Sequence, residues 1–291
     1  MSYKSQIERA DVLIEALPFL QRYRGHTFVI KYGGSAMEDE HTVDRLLRDV
    51  VFLEATGINP VLIHGGGKAI TSRMREAGIK PKFVHGLRVT DAQSMHLVEE
   101  TLDGVINPRI VKTISQFGGI AKGHSGKSVF KGIKAPPVID GGESVDLGFV
   151  GTVSGMDLTA IEATIAAEAV PVISPIAMDQ DGNALNVNAD IAAGAIAGAL
   201  KASKLIYLSD VLGIMRDPGE EDSLIPSVTR DMIQKLIKEE IIAGGMLPKV
   251  DSAVRALEQG VGKVHFIDGR IPHSVLLEIF TNSGVGTEIV P

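Results

Sequence analysis

The chain has 291 residues, enough for one large α/β domain or two lobes on a shared sheet around a substantial core. Hydrophobic residues make up 44% and charged residues 22%, as in ordinary globular proteins, while aromatics at 4% and the absence of Trp argue against a stacking platform for single-stranded nucleic acid. A formal net charge of −7 disfavours nucleic acid and anionic membranes as partners, and the lack of Cys excludes disulfides, thiolate nucleophiles and zinc–cysteine sites and fits a cytoplasmic location.

Met1-Ser2-Tyr3-Lys4-Ser5-Gln6 leads into a charged helical pattern with no apolar core, so no signal peptide is expected. Ile7, Ala10, Ile14 and Leu17 predict an amphipathic helix over 7–22, with Pro18 kinking or ending its first part. That helix is either a packing element or an oligomerisation arm. A strand over 27–31 is followed by a helix over 43–56, a strand over 60–64 and a helix over 68–77 that Gly78 closes. Thr90-Asp91-Ala92-Gln93 reads as a capping box for a helix with Met95, Val98, Leu102 and Val105 on one face. Asn107-Pro108 should interrupt it before a second helical run ends at Gly118-Gly119.

Residues 123–153 are Gly-rich without helical period and predict β-hairpins. A helix over 158–168 and a strand over 170–174 precede the turn signal at 179–183, the best lobe boundary. The Ala/Gly-rich helix over 189–200 is too short to span a membrane and reads as buried. A strand over 205–208, helices near 229–240 and 246–259, a strand over 264–267, a helix over 274–280 and a closing strand over 287–290 complete the chain. Strands alternating with helices imply a mostly parallel sheet.

Several familiar motifs fail. Ser125-Gly126-Lys127-Ser128 ends like a P-loop, but Ala121 stands where the first glycine belongs, so Lys127 reads as loop surface. The dinucleotide fingerprint breaks at Ile70, and the nucleophile elbow breaks at Met37 and Lys127. What remains is a pair of apolar strands that each run into glycines and a cation: Phe28-Val29-Ile30-Lys31-Tyr32-Gly33-Gly34 and Val61-Leu62-Ile63-His64-Gly65-Gly66-Gly67-Lys68. Such turns open the backbone N–H groups to an anion at the ligand-binding end of an α/β sheet. Two of them about thirty residues apart, one βαβ unit, suggest two anions side by side and hence a kinase.

Lys31 is costly inside an apolar strand unless an anion meets it, the alternative being a snorkelling edge lysine. Gly66 and Gly67 belong either to a close ligand approach or to a tight βα turn. Arg88, in Gly86-Leu87-Arg88-Val89-Thr90, suits bidentate carboxylate binding or a surface salt bridge. Asn186-Val187-Asn188-Ala189-Asp190 holds more polar groups than capping needs, although Asn188 could serve as a cap. Lys249, after Gly244-Gly245, opposes a helix dipole, which suggests a strong negative charge nearby unless it is merely exposed.

These segments, in this order and with Leu208-Ser209-Asp210-Val211, resemble the amino acid kinase family over nearly the whole chain. Within the family they resemble the branch acting on N-acetyl-L-glutamate. The run Leu17-Pro18-Phe19-Leu20-Gln21-Arg22-Tyr23 looks like the arginine-inhibited, hexameric members of that branch. One departure is Ser128, where the family usually has Asp after the Lys.

The resemblance implies an α/β fold, a three-layer αβα sandwich. An oligomerisation helix over 1–24 would precede an acetylglutamate-binding, dimer-forming lobe over 25–182 and an ATP-binding lobe over 183–291. It also implies roles. Lys31 and Lys249 would stabilise the transferring phosphoryl group and Asp190 would orient them. Gly66, Gly67, Arg88 and Asn186 would hold acetylglutamate, and Gly34, Ser209, Asp210 and Gly245 would surround ATP. Mg²⁺ would arrive on the ATP phosphates, with no metal site on the protein. Arginine would bind near Tyr23, Lys204, His265, Glu278 and Gly286. The partners implied are homo-oligomeric copies, as a trimer of dimers, and a PII-type signalling protein. Glutamate 5-kinase, carbamate kinase and UMP kinase are the competing family members. A regulator lacking catalysis is disfavoured because both lysines are present.

Overall fold

The computed structural model describes residues 3–37 and 39–291, so Met1 and Ser2 of the expected N-terminal arm lie outside the described residues. The first helix, α1 (Tyr3–Tyr23), runs through Pro18 rather than ending there. The ring removes one helical hydrogen bond, but the turns beyond it are held by edge-on contacts of Phe19 with Phe280 (6.3 Å) and Tyr23 with Phe28 (5.3 Å). Ile7, Val12, Leu13 and Ile14 are exposed.

β1 (Thr27–Tyr32), α2 (Glu40–Ala55), β2 (Asn59–His64) and α3 (Gly67–Glu76) follow. α2 starts ahead of the expected residue 43 because Asp39 caps it, accepting from the Thr42 N–H at 2.8 Å. A short hairpin, β3 (Phe83–Val84) and β4 (Leu87–Arg88), precedes α4 (Ala92–Glu99), a π-helical stretch (Glu100–Ile106) and α5 (Asn107–Gln116). Here the expectations need correction. Asp91, not Thr90, is the N-cap, accepting from the Ser94 N–H at 2.7 Å, while the Thr90 hydroxyl donates to the Arg88 carbonyl. Pro108 stands where the π stretch passes directly into α5, with the Asn107 N–H still bonded to the Leu102 carbonyl, so Asn107-Pro108 marks a change of pitch and not a break. The π stretch also rotates the helix face: Met95, Val98 and Leu102 are buried but Val105 is 51% exposed.

The chain continues with β5 (Ala121–His124), β6 (Phe130–Lys134), β7 (Val138–Asp140), β8 (Glu143–Val145), β9 (Val150–Met156), α6 (Thr159–Ala166), β10 (Val170–Ile173), β11 (Ile176–Met178) and β12 (Ala184–Val187). Then come α7 (Ala189–Ala199), β13 (Lys204–Ser209), β14 (Ser227–Thr229), α8 (Arg230–Lys238), α9 (Leu247–Glu258), β15 (Lys263–Asp268), α10 (Ser274–Phe280) and β16 (Thr287–Val290). The main sheet has eight strands in the order β14-β16-β15-β13-β1-β2-β10-β5. Among the described residues only β15 and β16 pair antiparallel within it.

Strand periodicity builds the layers. Phe28, Ile30, Leu62 and Ile206 face a core shared with α2–α5 and α10, and Val29, Val61, Leu205 and Tyr207 face a second core shared with α6–α9. The result is the expected αβα sandwich. Over 123–153 only part of the hairpin expectation holds. β7 and β8 form a hairpin and β6 pairs antiparallel with β9 around it, but β5 joins the main sheet parallel to β10, and β6 and β9 close a small barrel with β11 and β12. The turn at 179–183 is the tip of the β11–β12 hairpin, and β12 pairs with β9, so the residues on both sides of the turn belong to that barrel. Lys127 is not simple loop surface: it is partly buried and ion-paired with Glu99. α7 is buried as expected, and among the described residues no helix is long and apolar enough to cross a membrane.

Candidate functional site

The C-terminal ends of the central strands meet a cavity of about 630 Å³. Lys31, near the end of β1, projects to the α7 side of the sheet and is only 7% exposed. Its Nζ lies 3.0 Å from Asp190 Oδ1, and Lys249 Nζ, from the first turn of α9, donates to Asp190 Oδ2 at 2.7 Å. One carboxylate therefore holds two ammonium groups from two different elements. Burial lowers the Lys31 pKa, with Asp190 opposing and Lys249 reinforcing that shift. Burial pushes Asp190 upward, but the two cations overcome it and hold the carboxyl below its usual range.

The α7 and α9 backbones fix this geometry. Asn188 caps α7 by accepting from the Asp190 N–H at 2.7 Å. Ser252, one turn beyond Lys249, donates to the Asp190 carbonyl at 2.8 Å and accepts from the Tyr207 hydroxyl at 2.8 Å. Gly194 permits this closeness, since a Cβ there would lie 2.3 Å from Ser252 Oγ. The sequence pointed to Asn188 and Lys249 but not to Ser252 or the Tyr207 hydroxyl, whose roles depend on a crossing between remote helices.

Glycine turns form the cavity floor. Gly66 precedes α3, and a Cβ there would lie 2.6 Å from Leu102 Cδ2 and 2.8 Å from Ile106 Cδ1. Neither the Gly66 nor the Gly67 N–H has an acceptor among the described residues. Arg88 enters from β4 and is buried, with Nη2 donating to the Gly67 carbonyl (2.7 Å) and Thr71 Oγ1 (2.8 Å). Its guanidinium carbon sits 4.6 Å from the Phe83 ring centroid. All these partners are neutral, no carboxylate among the described residues pairs with Arg88, and burial lowers its pKa. A buried, uncompensated guanidinium at a cavity wall is a receptor for an anionic group. Asn186, at the end of β12, lines the same cavity and donates from Nδ2 to Thr90 Oγ1 at 3.2 Å.

The structure thus brings Lys31, Gly34, Gly66, Gly67, Arg88, Asn186 and Asp190 to one cavity. Lys249 reaches it through Asp190. Ser209, Asp210 and Gly245 do not line it. Ser209 ends β13 with its hydroxyl donating to the Val211 carbonyl at 3.1 Å, Asp210 is exposed yet near enough to oppose in part the burial-driven fall of the Lys31 pKa, and Gly245 precedes α9. Thr71 and Phe83, which hold Arg88, were not singled out from the sequence.

The remaining predicted group also assembles, toward the opposite end of the strands from the cavity. Lys204 Nζ donates to His265 Nε2 at 2.9 Å, and His265 Nδ1 donates to Glu278 Oε1 at 2.6 Å. Glu278 Oε2 accepts from the Val285 and Gly286 N–H groups at 2.7 and 3.2 Å, and Lys204 Nζ stands 5.3 Å from the Tyr23 ring centroid. Burial pushes Lys204 down to about 8 and also lowers His265, whereas Glu278, pushed up by burial, is held low by the His265 hydrogen bond.

Fold and site together define a phosphotransferase scaffold, and comparison with known proteins agrees. The profile of the amino acid kinase family matches residues 26–268, and the chain belongs to that family. It is 50% identical over 98% of its length to the acetylglutamate kinase of Akkermansia muciniphila, covering 96% of that protein. It is 48% identical over 99% of its length to the acetylglutamate kinase of Methanocaldococcus jannaschii, covering 98% of that protein. Among solved structures, N-acetylglutamate synthase of Neisseria gonorrhoeae, complexed with coenzyme A and N-acetyl-glutamate, matches with a TM-score of 0.84 at 28% identity. The match covers 97% of this chain and 63% of that one. The same synthase has also been solved with coenzyme A and L-arginine, matching at TM-score 0.81 and 26% identity over 97% of this chain and 65% of that one.

Proposed function

We infer that this chain transfers the γ-phosphoryl group of ATP to the γ-carboxylate of N-acetyl-L-glutamate, giving N-acetyl-L-glutamyl 5-phosphate in arginine biosynthesis. The observation that carries the reading is Asp190 bridging Lys31 and Lys249 beside a cavity that also holds the uncompensated Arg88. The full-length likeness to acetylglutamate kinases names the substrate.

The acceptor carboxylate, with an ordinary pKa of about 4.3, is already ionised near neutrality, so no general base is required. Its oxygen attacks the γ-phosphorus as the bond to the β,γ-bridging oxygen breaks, and ADP leaves. Two like-charged groups must be brought together, so the protein's task is position and positive charge. Lys31 and Lys249 supply the charge at the transferring group, and Asp190 holds them apart at a fixed spacing. Gly66, Gly67, Arg88 and Asn186 hold acetylglutamate, while Gly34, Ser209, Asp210 and Gly245 surround the nucleotide. Among the described residues no cluster of three or more His, Asp or Glu is arranged for a metal, and the Asp190 oxygens are taken by ammonium groups. Mg²⁺ would be carried on the ATP phosphates and would supply positive charge there. In this reading residues 25–182, joined by Asn186 from beyond the turn at 179–183, bind acetylglutamate and form the dimer, residues 183–291, joined by Gly34, bind ATP, and the enzyme works in the cytoplasm.

ADP release measured with acetylglutamate, glutamate, carbamate and UMP tests this. Turnover is expected with acetylglutamate, and preference for another acceptor would refute the assignment.

A regulatory reading is favoured by the assembled Tyr23–Lys204–His265–Glu278–Gly286 cluster and by the exposed apolar face of α1. Residues 1–24 act as the arm joining dimers into a hexamer, and arginine, the pathway's end product, binds between this arm and the C-terminal lobe. Arginine then favours one lobe arrangement and shifts the population away from the closed form. A PII-type signalling protein is a further partner. Deleting residues 1–24 should give active dimers insensitive to arginine, and a truncated enzyme that stays hexameric and inhibited sinks this proposal.

A further inference from the structure

Behind the glycine turn lies a buried hydrogen-bond chain that the reaction itself does not use. His64 ends β2, is completely buried and does not line the cavity. Burial pushes its imidazole down to about 4, so the ring is neutral near pH 7. Asn107 Nδ2 lies 2.9 Å from the Val172 carbonyl, which can only accept, so the amide nitrogen must point that way. The same nitrogen is 3.2 Å from His64 Nε2, which therefore accepts, and the ring proton sits on Nδ1, 3.2 Å from the Gly65 carbonyl. A trans peptide directs its C=O and N–H to opposite sides. Holding the Gly65 oxygen toward His64 thus turns the Gly66 N–H away from the buried ring and toward the cavity.

We propose that Asn107 and His64 are positioning residues that lock the Gly65–Gly66 peptide with its N–H facing the bound anion, and that the π-helical stretch exists to press Asn107, Leu102 and Ile106 against this turn. Two further observations support this. Leu102 and Ile106, both in the π stretch, fill the space a Cβ on Gly66 would need. Asn107 Oδ1 lies 2.2 Å from where a Cβ on Gly123 would stand, so only glycine in β5 leaves room for the amide. π-Helical insertions recur at functional sites because they redirect side chains within a helix.

Since this assignment rests on the glycine turn being the anion site, the test has one arm independent of turnover. Histidine ¹⁵N NMR of the full chain should show His64 as the neutral Nδ1–H tautomer, and an Nε2–H tautomer overturns the proposal. In the kinetic arm, His64→Asn keeps an amide N–H where Nδ1 stands, whereas His64→Leu removes it. Mispointing one backbone donor should lower kcat by about 10- to 100-fold in His64→Leu, less than outright loss of an oxyanion donor, with His64→Asn recovering most of it. Asn107→Leu should release the tautomer preference and lower kcat in parallel. Equal losses in His64→Leu and His64→Asn, or full activity in His64→Leu, overturn the positioning role. Wild-type protein that turns over a different acceptor refutes the substrate assignment while leaving the tautomer result intact.

Discussion

Two buried lysines sit at opposite ends of one pair of parallel strands, and they are handled in opposite ways. Lys31 lies near the C-terminal end of β1, and Lys204 opens the neighbouring β13. Around Lys31 two lysines share Asp190, with Asp210 as a more distant acid, and among the described residues Arg88 has only neutral partners. Around Lys204 the polar groups form a closed relay through His265 to Glu278, whose second oxygen is satisfied by backbone N–H groups. The first arrangement is incomplete without an anion and borders a cavity. The second completes itself. Buried positive charge left unpaid by the fold marks where a ligand's negative charge is expected.

Lys249→Ala removes one of the two cations that share Asp190. It should lower kcat by about 10²–10³-fold, the effect of removing one transition-state stabiliser, with little change in KM. Unchanged kcat would remove Lys249 from the reaction. Arg88→Lys keeps the charge but loses the planar fork, and a KM for acetylglutamate raised by about 10- to 100-fold is expected with ATP unaffected. An equal rise for both substrates would place Arg88 outside the acceptor pocket.

On the other side of the comparison, Glu278→Ala should leave kcat near wild type and reduce stability. It strands the His265, Val285 and Gly286 donors, a loss of about 2–4 kcal/mol read by denaturant unfolding. A stable variant with depressed kcat would mean the two regions are not separable in this way. The smallest effect concerns pH. Lys204 titrates at about 8 when folded against 10.5 as the reference value. Between those values the unfolded chain holds a proton that the folded one has released, so this group makes stability rise with pH, by about 1–3 kcal/mol across the window. Lys204→Met should flatten that component, and identical pH profiles for variant and wild type would show that Lys204 is not perturbed.

Much of the fold was legible because its signals are local. Alternating apolar strands, Gly78 after α3 and the apolar stripe of α2 need no partner to be recognised. The misreadings share a cause. Pro18 and Asn107-Pro108 looked like breaks because propensity counts the lost hydrogen bond, whereas aromatic contacts in one case and a π stretch in the other accommodate it. The hairpins expected over 123–153 were partly misassigned because pairing partners come from distant sequence: β5 joins β10, and β11 and β12 complete the barrel.

The glycine turns, Lys31, Arg88, Asp190 and Lys249 stand out in the amino-acid sequence, because glycine and charge at strand or helix ends contradict what packing alone would select. Which groups meet could only be decided by the folded chain. Asp190 takes both lysines because α7 and α9 cross closely at Gly194 and Ser252. Among the described residues Arg88 meets neutral groups of α3 and no carboxylate, because its hairpin folds over that helix. His64 and Asn107 become one unit only when β2 and the start of α5 come together. Sequence records which residues are chemically unusual for their local setting, whereas pairing, burial and unpaired charge depend on distances between segments that no local pattern encodes.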